Sequence, residues 1–302
     1  MAGPAFRGGA VHVRVPATSA NLGPGFDALG LALGLYDDVV ARIGEDGVVI
    51  DIAGEGEDLP RDESHLVIRA MRTTFERLGG QPRGIELSAA NRIPHGRGLG
   101  SSAAAIVAGV LLARALVLGG DEALPDEAVL DLAAEIEGHP DNVAAALLGG
   151  LSIAWRDGDG FAALSRDVDP RVRPVVFIPP FQASTEQARG LLPDSISHAD
   201  AAFAAGRSAL LVAALTGSPE ALFPGTEDSL HQSYRAPAMR ASADLVAALR
   251  QQGYAAVISG AGPTVLCFAA SQEQADAVTG LVPDGWQVLM PGIDIAGGQI
   301  IR

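Results

Sequence analysis

The sequence contains no lysine: all 21 basic residues among its 302 are arginines. A P-loop and a protein-kinase fold each hold phosphates with a lysine, and pyridoxal enzymes and Ser–Lys hydrolases need one for covalent chemistry, so all four classes are excluded. Cysteine is nearly absent. Cys267 is the only one, which rules out a disulfide within the chain and a thiolate zinc site. In the run Thr264 to Phe268 it reads as a small buried hydrophobe of a strand. Positive charge is scarce, since 36 acidic residues bring the formal net charge to -15. Such a surface repels phosphate backbones and anionic headgroups, so neither a nucleic acid nor a membrane surface is expected as a partner. Long apolar runs are missing too. The most hydrophobic stretch, Ala103 to Leu118, is too short to span a bilayer and carries Arg114, so it reads as a buried helix. The N-terminus lacks the apolar core of a signal peptide, and a cytoplasmic protein is expected.

Apolar residues make up 48% and charged residues 19%, the balance of a globular protein with room for two ordinary domains. Val11, Val13 and Val15 alternate with polar residues as in a half-buried strand, which Pro16 is expected to end. A loop rich in Gly and Asn follows from Ala17 to Gly30. Val39–Ile43 and Val48–Ile52 read as a hairpin around Gly44–Gly47. His65–Leu78 has helical spacing and stops at Gly79-Gly80, and Ile85–Ser88 is a short strand. Helices are expected at Pro125–Glu137 and from Pro140 to Gly149, with a strand at Leu151–Trp155. The polar stretch Arg156–Pro174 carries the expected domain boundary, giving domains 1–165 and 166–302. Beyond it come a strand at Val175–Ile178, helices at His198–Leu215 and Ala238–Gln252, and strands at Ala255–Ile258 and Val265–Ala269. Strands and helices mix without strict alternation, which argues for an α+β fold.

The strongest local signal is Pro94-His95-Gly96-Arg97-Gly98-Leu99-Gly100-Ser101-Ser102-Ala103-Ala104-Ala105. Three glycines at alternate positions let the backbone approach a ligand closely. The following residues open a helix, whose unpaired N–H groups and dipole attract anions. Ser101 and Ser102 add hydroxyls that can reach a phosphate or a metal. The arrangement is a phosphate cradle that works without lysine. Gly98 to Ala103 also fits the G-x-G-x-x-A dinucleotide fingerprint, but the segment after the apolar helix is another helix and not the required strand.

Three segments together resemble the GHMP kinases, the superfamily of galacto-, homoserine, mevalonate and phosphomevalonate kinases. They are Val15–Asp27, the loop Gly96–Ala105, and Ser259-Gly260-Ala261-Gly262-Pro263-Thr264. Ser19–Asp27 and Glu137-Gly138-His139-Pro140-Asp141-Asn142-Val143 are similar to the homoserine kinase branch. The resemblance implies a two-domain α+β fold with the active site between the domains, ATP and Mg2+ as cofactors, and often a homodimer. The implied reaction is phosphorylation of the L-homoserine hydroxyl to O-phospho-L-homoserine, on the route to threonine. A kinase for another small alcohol, such as threonine or mevalonate, and a non-catalytic sensor of the same fold are the alternatives. A mevalonate kinase is expected to use a lysine near the phosphates, and none exists here.

The same resemblance assigns residues. The ATP loop runs from Pro94 through His95, Gly96, Arg97, Gly98, Leu99, Gly100, Ser101, Ser102 and Ala103 to Ala104. Glu135, with Ser101 or Ser102, is the implied metal ligand, while Asp131 and Glu137 read as solvated acidic groups of the same helix. Asn21 and Asp27 are implied for the substrate ammonium. Arg189 and Arg235 are implied for its carboxylate, which a guanidinium fork binds bidentately. His139 and Gly262 join the substrate set. Asp141, Asn142 and Thr185 are the candidate catalytic groups, although an Asp at a helix start is also favoured by the dipole alone. One departure stands out: many relatives carry Asn-Leu where this chain has His65-Leu66, near the nucleotide.

Overall fold

The computed structural model describes residues 3–301. The first half runs β1 (Val11–Ala20), β2 (Leu29–Gly44), β3 (Gly47–Gly54), α1 (Leu66–Arg77), β4 (Gly84–Asn91), α2 (Ser101–Leu116), α3 (Gly120–Ala123), α4 (Asp126–Glu137), α5 (Asp141–Leu148), β5 (Leu151–Asp157) and β6 (Gly160–Arg166). The second half runs β7 (Arg173–Ile178), α6 (Thr185–Gly190), α7 (His198–Thr216), α8 (Leu222–Gly225), α9 (Gln232–Arg235), α10 (Arg240–Gln251), β8 (Ala255–Ile258), β9 (Val265–Ala269), α11 (Gln272–Thr279), β10 (Gln287–Leu289) and β11 (Gln299–Ile301). The architecture is α+β, as expected.

Two strand assignments differ from the sequence reading. Pro16 does not end β1. The strand continues to Ala20, and the register against β2 shifts between Pro16 and Ala17. A bulge absorbs the missing N–H, and the opposite edge makes no demand there because β11 pairs only with His12–Arg14. The expected hairpin is also absent. β3 lies parallel to β4, and β4 sits between β3 and β2. Parallel neighbours need a crossover, which α1 supplies. The central strand is the more buried one: Ile85, Leu87 and Ala89 of β4 are buried, whereas β3 buries Ile50 and Ile52 but leaves Val49 facing solvent.

The first sheet has seven strands, in the order β11-β1-β2-β4-β3 with β5 and β6 joined at the other end of β2. Helices α1, α2, α4 and α5 pack together beside it. The apolar α2 is enclosed on nearly every side by Ile68, Met71, Phe75 and the strands. It is therefore a buried core helix whose first turn is aimed at a fixed point. The second sheet, β10-β7-β9-β8, is antiparallel and carries α10 and α11. Val176, Ile178 and Leu266 of this sheet belong to the same hydrophobic cluster as Val13 and Val107 of the first half. This shared core holds the turn between β8 and β9 against the end of β1. Cys267 is buried as expected, and desolvation pushes its thiol up to about 12. Among the described residues α7 is the one helix long and apolar enough to cross a membrane by composition. Its buried residues are Ala204, Leu211, Ala214 and Leu215, and it packs on α8.

Candidate active site

The three glycine-rich segments singled out in the sequence meet at one point. The Thr18 N–H donates to the Leu99 carbonyl at 3.0 Å, and the Gly260 N–H donates to the Ala20 carbonyl at 3.0 Å. The Thr264 N–H donates to the Arg97 carbonyl at 3.2 Å. Ser259 Oγ lies 2.6 Å from the Gly98 carbonyl and 2.8 Å from Ser19 Oγ. The loop before α2 is thus clamped between the end of β1 and the β8–β9 turn. Gly96, Gly98 and Gly100 adopt φ of 63°, 76° and 71°, the left-handed region that disfavours side chains. A Cβ at Gly98 would strike the Ser259 carbonyl, and one at Gly100 would strike Thr18 Oγ1. These two glycines are needed for packing as much as for ligand approach. No side chain caps α2, since its N-cap is Gly100. The first-turn N–H groups of a 16-residue buried helix are left for an anion.

A cavity of about 320 Å³ opens in front of this turn. It is lined by Gly96, Gly98, Gly100, Ser101 and Ser102 of the loop and α2, by Asn21, Asp27, Arg189 and Arg235, and by His139, Asp141, Asn142, Thr185 and Gly262. Of the proposed loop residues, Pro94, Leu99 and Ala103 are instead buried, and Arg97 lines neither this cavity nor its neighbour. The Arg97 guanidinium reaches across to the Pro180 carbonyl at 3.5 Å.

Glu135, implied by the resemblance as the metal ligand, is not among the groups that line this cavity. It is paired with Arg77 at 3.0 Å on the exposed face of α4. Glu137, read from the sequence as a solvated helix end, lines the cavity and accepts a hydrogen bond from Ser102 Oγ at 2.7 Å. Burial raises its carboxyl above the ordinary range, against the pull of the Ser102 hydrogen bond. Two residues along a helix are roughly 200° apart, so one of these carboxylates must face away when the other faces in. Asp131 is also internal to the fold, accepting from the Phe161 N–H at 3.0 Å. Among the described residues no group of three or more His, Cys, Asp or Glu could hold a metal unaided.

The substrate side is built on strain. Asn21, Leu22 and Asp27 have φ of 65°, 51° and 54°, and they are the only non-glycine residues in the left-handed region among those described. Such backbone costs on the order of 1–3 kcal/mol per residue and clusters at functional sites. Asn21 is held at both ends: its amide donates to the Gly260 carbonyl at 2.9 Å and its Oδ1 accepts from the Asp27 N–H at 3.0 Å. Its first task is therefore to shape the loop. Asp27 and Arg189 form a two-pronged pair at 2.6 and 3.1 Å, which raises the Arg189 guanidinium. Arg235 differs sharply. It is only 2% exposed, and among the described residues it makes no ion pair and its Nε has no hydrogen-bond partner. Desolvation, then the Arg189 charge, pulls it below its usual value. Phe26, inside the segment Val15–Asp27 but assigned no role by the sequence reading, lies beneath both guanidinium groups at 5.7 and 5.2 Å.

Between the two sides, Asp141 is buried and accepts from the Asn142 N–H at 2.8 Å while contacting His139 Nδ1 at 2.8 Å. Burial alone would lower the His139 imidazole, but Asp141 and Glu137 outweigh it and raise it. Asn142 Oδ1 accepts from Thr18 Oγ1 at 2.8 Å, tying α5 to β1. Thr185 opens α6 behind the Ser184 cap. The arrangement is an anion cradle facing a site for a group that carries both charges.

A second cavity of about 300 Å³ adjoins the first at Ser101 and Ser102. Its walls include Val39, Leu59, Pro60, Leu66, Val67 and Ala104. His65 lines it, 5% exposed, with neither ring nitrogen hydrogen-bonded. Desolvation, with His95 and Arg61 nearby, lowers the imidazole and keeps it neutral. His95 of the glycine loop lines this cavity and not the first.

Residues 65–150 match the GHMP kinases N terminal domain, and residues 201–280 match the GHMP kinases C terminal domain. The chain is 61% identical to the homoserine kinase of Streptomyces avermitilis, over 100% of this chain and 99% of that one. It is 60% identical to the homoserine kinase of Streptomyces coelicolor, over 100% of this chain and 97% of that one. Among solved structures it matches homoserine kinase from Cytophaga hutchinsonii with a TM-score of 0.83 and 28% identity, each chain covered in full (100%). Mevalonate diphosphate decarboxylase from Staphylococcus aureus shares the fold at a TM-score of 0.68 and 15% identity, over 97% of this chain and 98% of that one.

Proposed function

The chain belongs to the GHMP kinases, phosphotransferases acting on an alcohol group, and on that basis we propose that it transfers the terminal phosphoryl group of ATP to the side-chain hydroxyl of L-homoserine. One observation carries the reading: a single cavity sets a lysine-free phosphate cradle opposite an Asp–Arg pair and a second, unpaired buried arginine. A zwitterionic amino acid needs one acceptor for its ammonium and one fork for its carboxylate, and both are present.

The apolar cavity beside His65 would hold the nucleoside, and Ser101 and Ser102, shared by the two cavities, with the first turn of α2 would hold the phosphates. Magnesium fits the oxygen donors of Glu137 and Ser102, with Ser101 beside them and the nucleotide supplying the rest. When bound, the cation neutralises charge on the phosphates. The substrate ammonium displaces Arg189 from Asp27, and the carboxylate takes the freed Arg189 and Arg235, so Asp27 and Arg189 exchange partners and Arg235 gains one. Asn21 keeps that loop in shape, while His139 and Gly262 bound the space. Asp141 and Asn142 orient the hydroxyl, and Thr185 sits toward the transferred group. Phosphoryl transfer through a loose transition state needs positioning and charge neutralisation above all, which these groups provide. The product is O-phospho-L-homoserine, on the cytoplasmic route to threonine.

ADP release is expected only with Mg-ATP and L-homoserine together, with phosphate found on the homoserine side chain. Equal release with threonine or mevalonate, or none with homoserine, would overturn the assignment.

A further inference from the structure

Buried beneath the substrate loop lies a histidine that touches neither cavity. His231 is fully enclosed, at 0% exposure, immediately before α9. Its Nε2 lies 2.9 Å from the Gly23 carbonyl, an acceptor only, so Nε2 carries the proton. Its Nδ1 lies 3.2 Å from Arg235 Nη1, a donor only, so Nδ1 offers the lone pair. The two contacts require the same neutral tautomer. The ring also lies against Phe26, with centroids 5.2 Å apart and planes 31° from parallel, and Phe26 in turn underlies Arg235. Asp228 secures the backbone here, accepting from the His231 and Gln232 N–H groups at 3.2 and 2.7 Å.

Gly23 belongs to the strained loop that carries Asn21, Phe26 and Asp27, and it has no room to move: a Cβ there would meet the Thr226 carbonyl at 2.9 Å. We infer that His231 is a positioning residue for the proposed phosphotransfer, a rigid strut that sets the Arg235 fork against the substrate loop so that both grip one amino acid. The inference rests on the proposed substrate reading. It explains a feature that reading leaves open. A long arginine with a free Nε and no carboxylate partner would otherwise sample several rotamers, and ordering it would weaken substrate binding. The contact to a neutral imidazole holds the side chain without neutralising the charge that the substrate carboxylate needs. A carboxylate in the same place would pair with Arg235 permanently.

The groups facing the ring are Arg235 from α9, Asp228 from the turn before it, and Asp27 from the substrate loop. Desolvation, followed by the Arg235 charge against the opposing pull of Asp228, keeps the imidazole neutral.

The test measures calorimetric binding of L-homoserine, with homoserine-dependent ADP release measured separately so that strut and kinase can fail independently. His231→Leu keeps the bulk but removes both hydrogen bonds. It is expected to weaken homoserine binding ~10- to 100-fold, the range for a hydrogen bond to a charged group, with the ATP Michaelis constant within about twofold of wild type. His231→Asn places an oxygen near the Nδ1 position and is expected to recover most of the loss. Combined with Arg235→Met, His231→Leu should add little, because the strut acts through that arginine. The inference is overturned if folded His231→Leu binds homoserine as wild type does. It is equally overturned if the ATP and homoserine constants rise together, if His231→Asn is no better than His231→Leu, or if the two losses simply add.

Discussion

Arg235→Met separates what this protein needs for stability from what it needs for recognition. Arg235 is the largest fully buried side chain, 2% exposed, with an unpartnered Nε and no ion pair. In the free protein its charge is desolvated without a compensating carboxylate, the situation in which an apolar replacement of similar volume is neutral or stabilising by about 1–4 kcal/mol. Methionine also sacrifices the hydrogen bond to His231, about 1.5–3 kcal/mol for a bond to a charged group, so the net change is expected to stay within ~2 kcal/mol of wild type in a urea melt. Binding should move the opposite way. Removing one partner of a buried charge pair costs about 2–5 kcal/mol, and near-complete burial of the guanidinium favours the upper half. That corresponds to a loss of several hundredfold or more in kcat/KM for homoserine (1.4 kcal/mol per tenfold), with the ATP constant almost unchanged. The assay is coupled ADP release with L-homoserine and with 3-aminopropan-1-ol, which lacks the carboxylate. Wild type should strongly prefer homoserine, and Arg235→Met should prefer it far less. Arg235→Lys should fall between, since it keeps the charge but loses the fork. The reasoning is refuted if Arg235→Met is less stable than wild type by more than ~2 kcal/mol, or if it discriminates between the two substrates as wild type does.

Glu137→Gln should lower kcat at least ~100-fold with little change in homoserine binding, while Glu135→Gln, which breaks only an exposed pair with Arg77, should stay within about twofold; the reverse order in steady-state kinetics would return the metal to Glu135. His65→Leu should raise the ATP constant about tenfold and leave homoserine untouched, because the unpartnered imidazole lines only the apolar cavity; unchanged ATP kinetics would place the base elsewhere. Asp38 accepts from Arg14, Arg92 and His12, and these hydrogen bonds outweigh burial and hold its carboxyl well below the ordinary range. Its contribution, about 1–2 kcal/mol after screening of the exposed partners, is therefore present above the unfolded value near ~3.9 and lost as pH falls below it. Asp38→Asn should lower the urea midpoint at pH 7 and lower it less at pH 2, because the contribution is lost only as pH falls through the depressed folded value; an equal deficit at both would contradict the sign.

Local chemistry was legible in the sequence because it depends on neighbours along the chain. The glycines at 96, 98 and 100 adopt positive φ, the apolar run after them needed burial, and the helix that run forms left its first N–H groups unpaired. Those facts hold in any fold that buries α2. The β8 and β9 strands around Ser259–Thr264 were legible for the same reason. What tertiary structure decided was everything that depends on direction. Glu135 and Glu137 stand on one helix with equal claims by composition, and only the packing of α4 against α2 turned Glu137 toward Ser102 and Glu135 toward Arg77. The hairpin expected at Gly44–Gly47 failed because strand pairing is a competition over the whole sheet, and β4 offered the more buried face. By composition Arg235 is one arginine among 21, and only the family resemblance singled it out as a carboxylate clamp. Its burial, its unpartnered Nε and its link to His231 arise where α9 and the β8–β9 turn meet the first loop, which lies more than two hundred residues earlier in the chain (His231 to Gly23 is 208). No periodicity along the chain encodes such a meeting, because burial of a charge is decided by the elements that close over it.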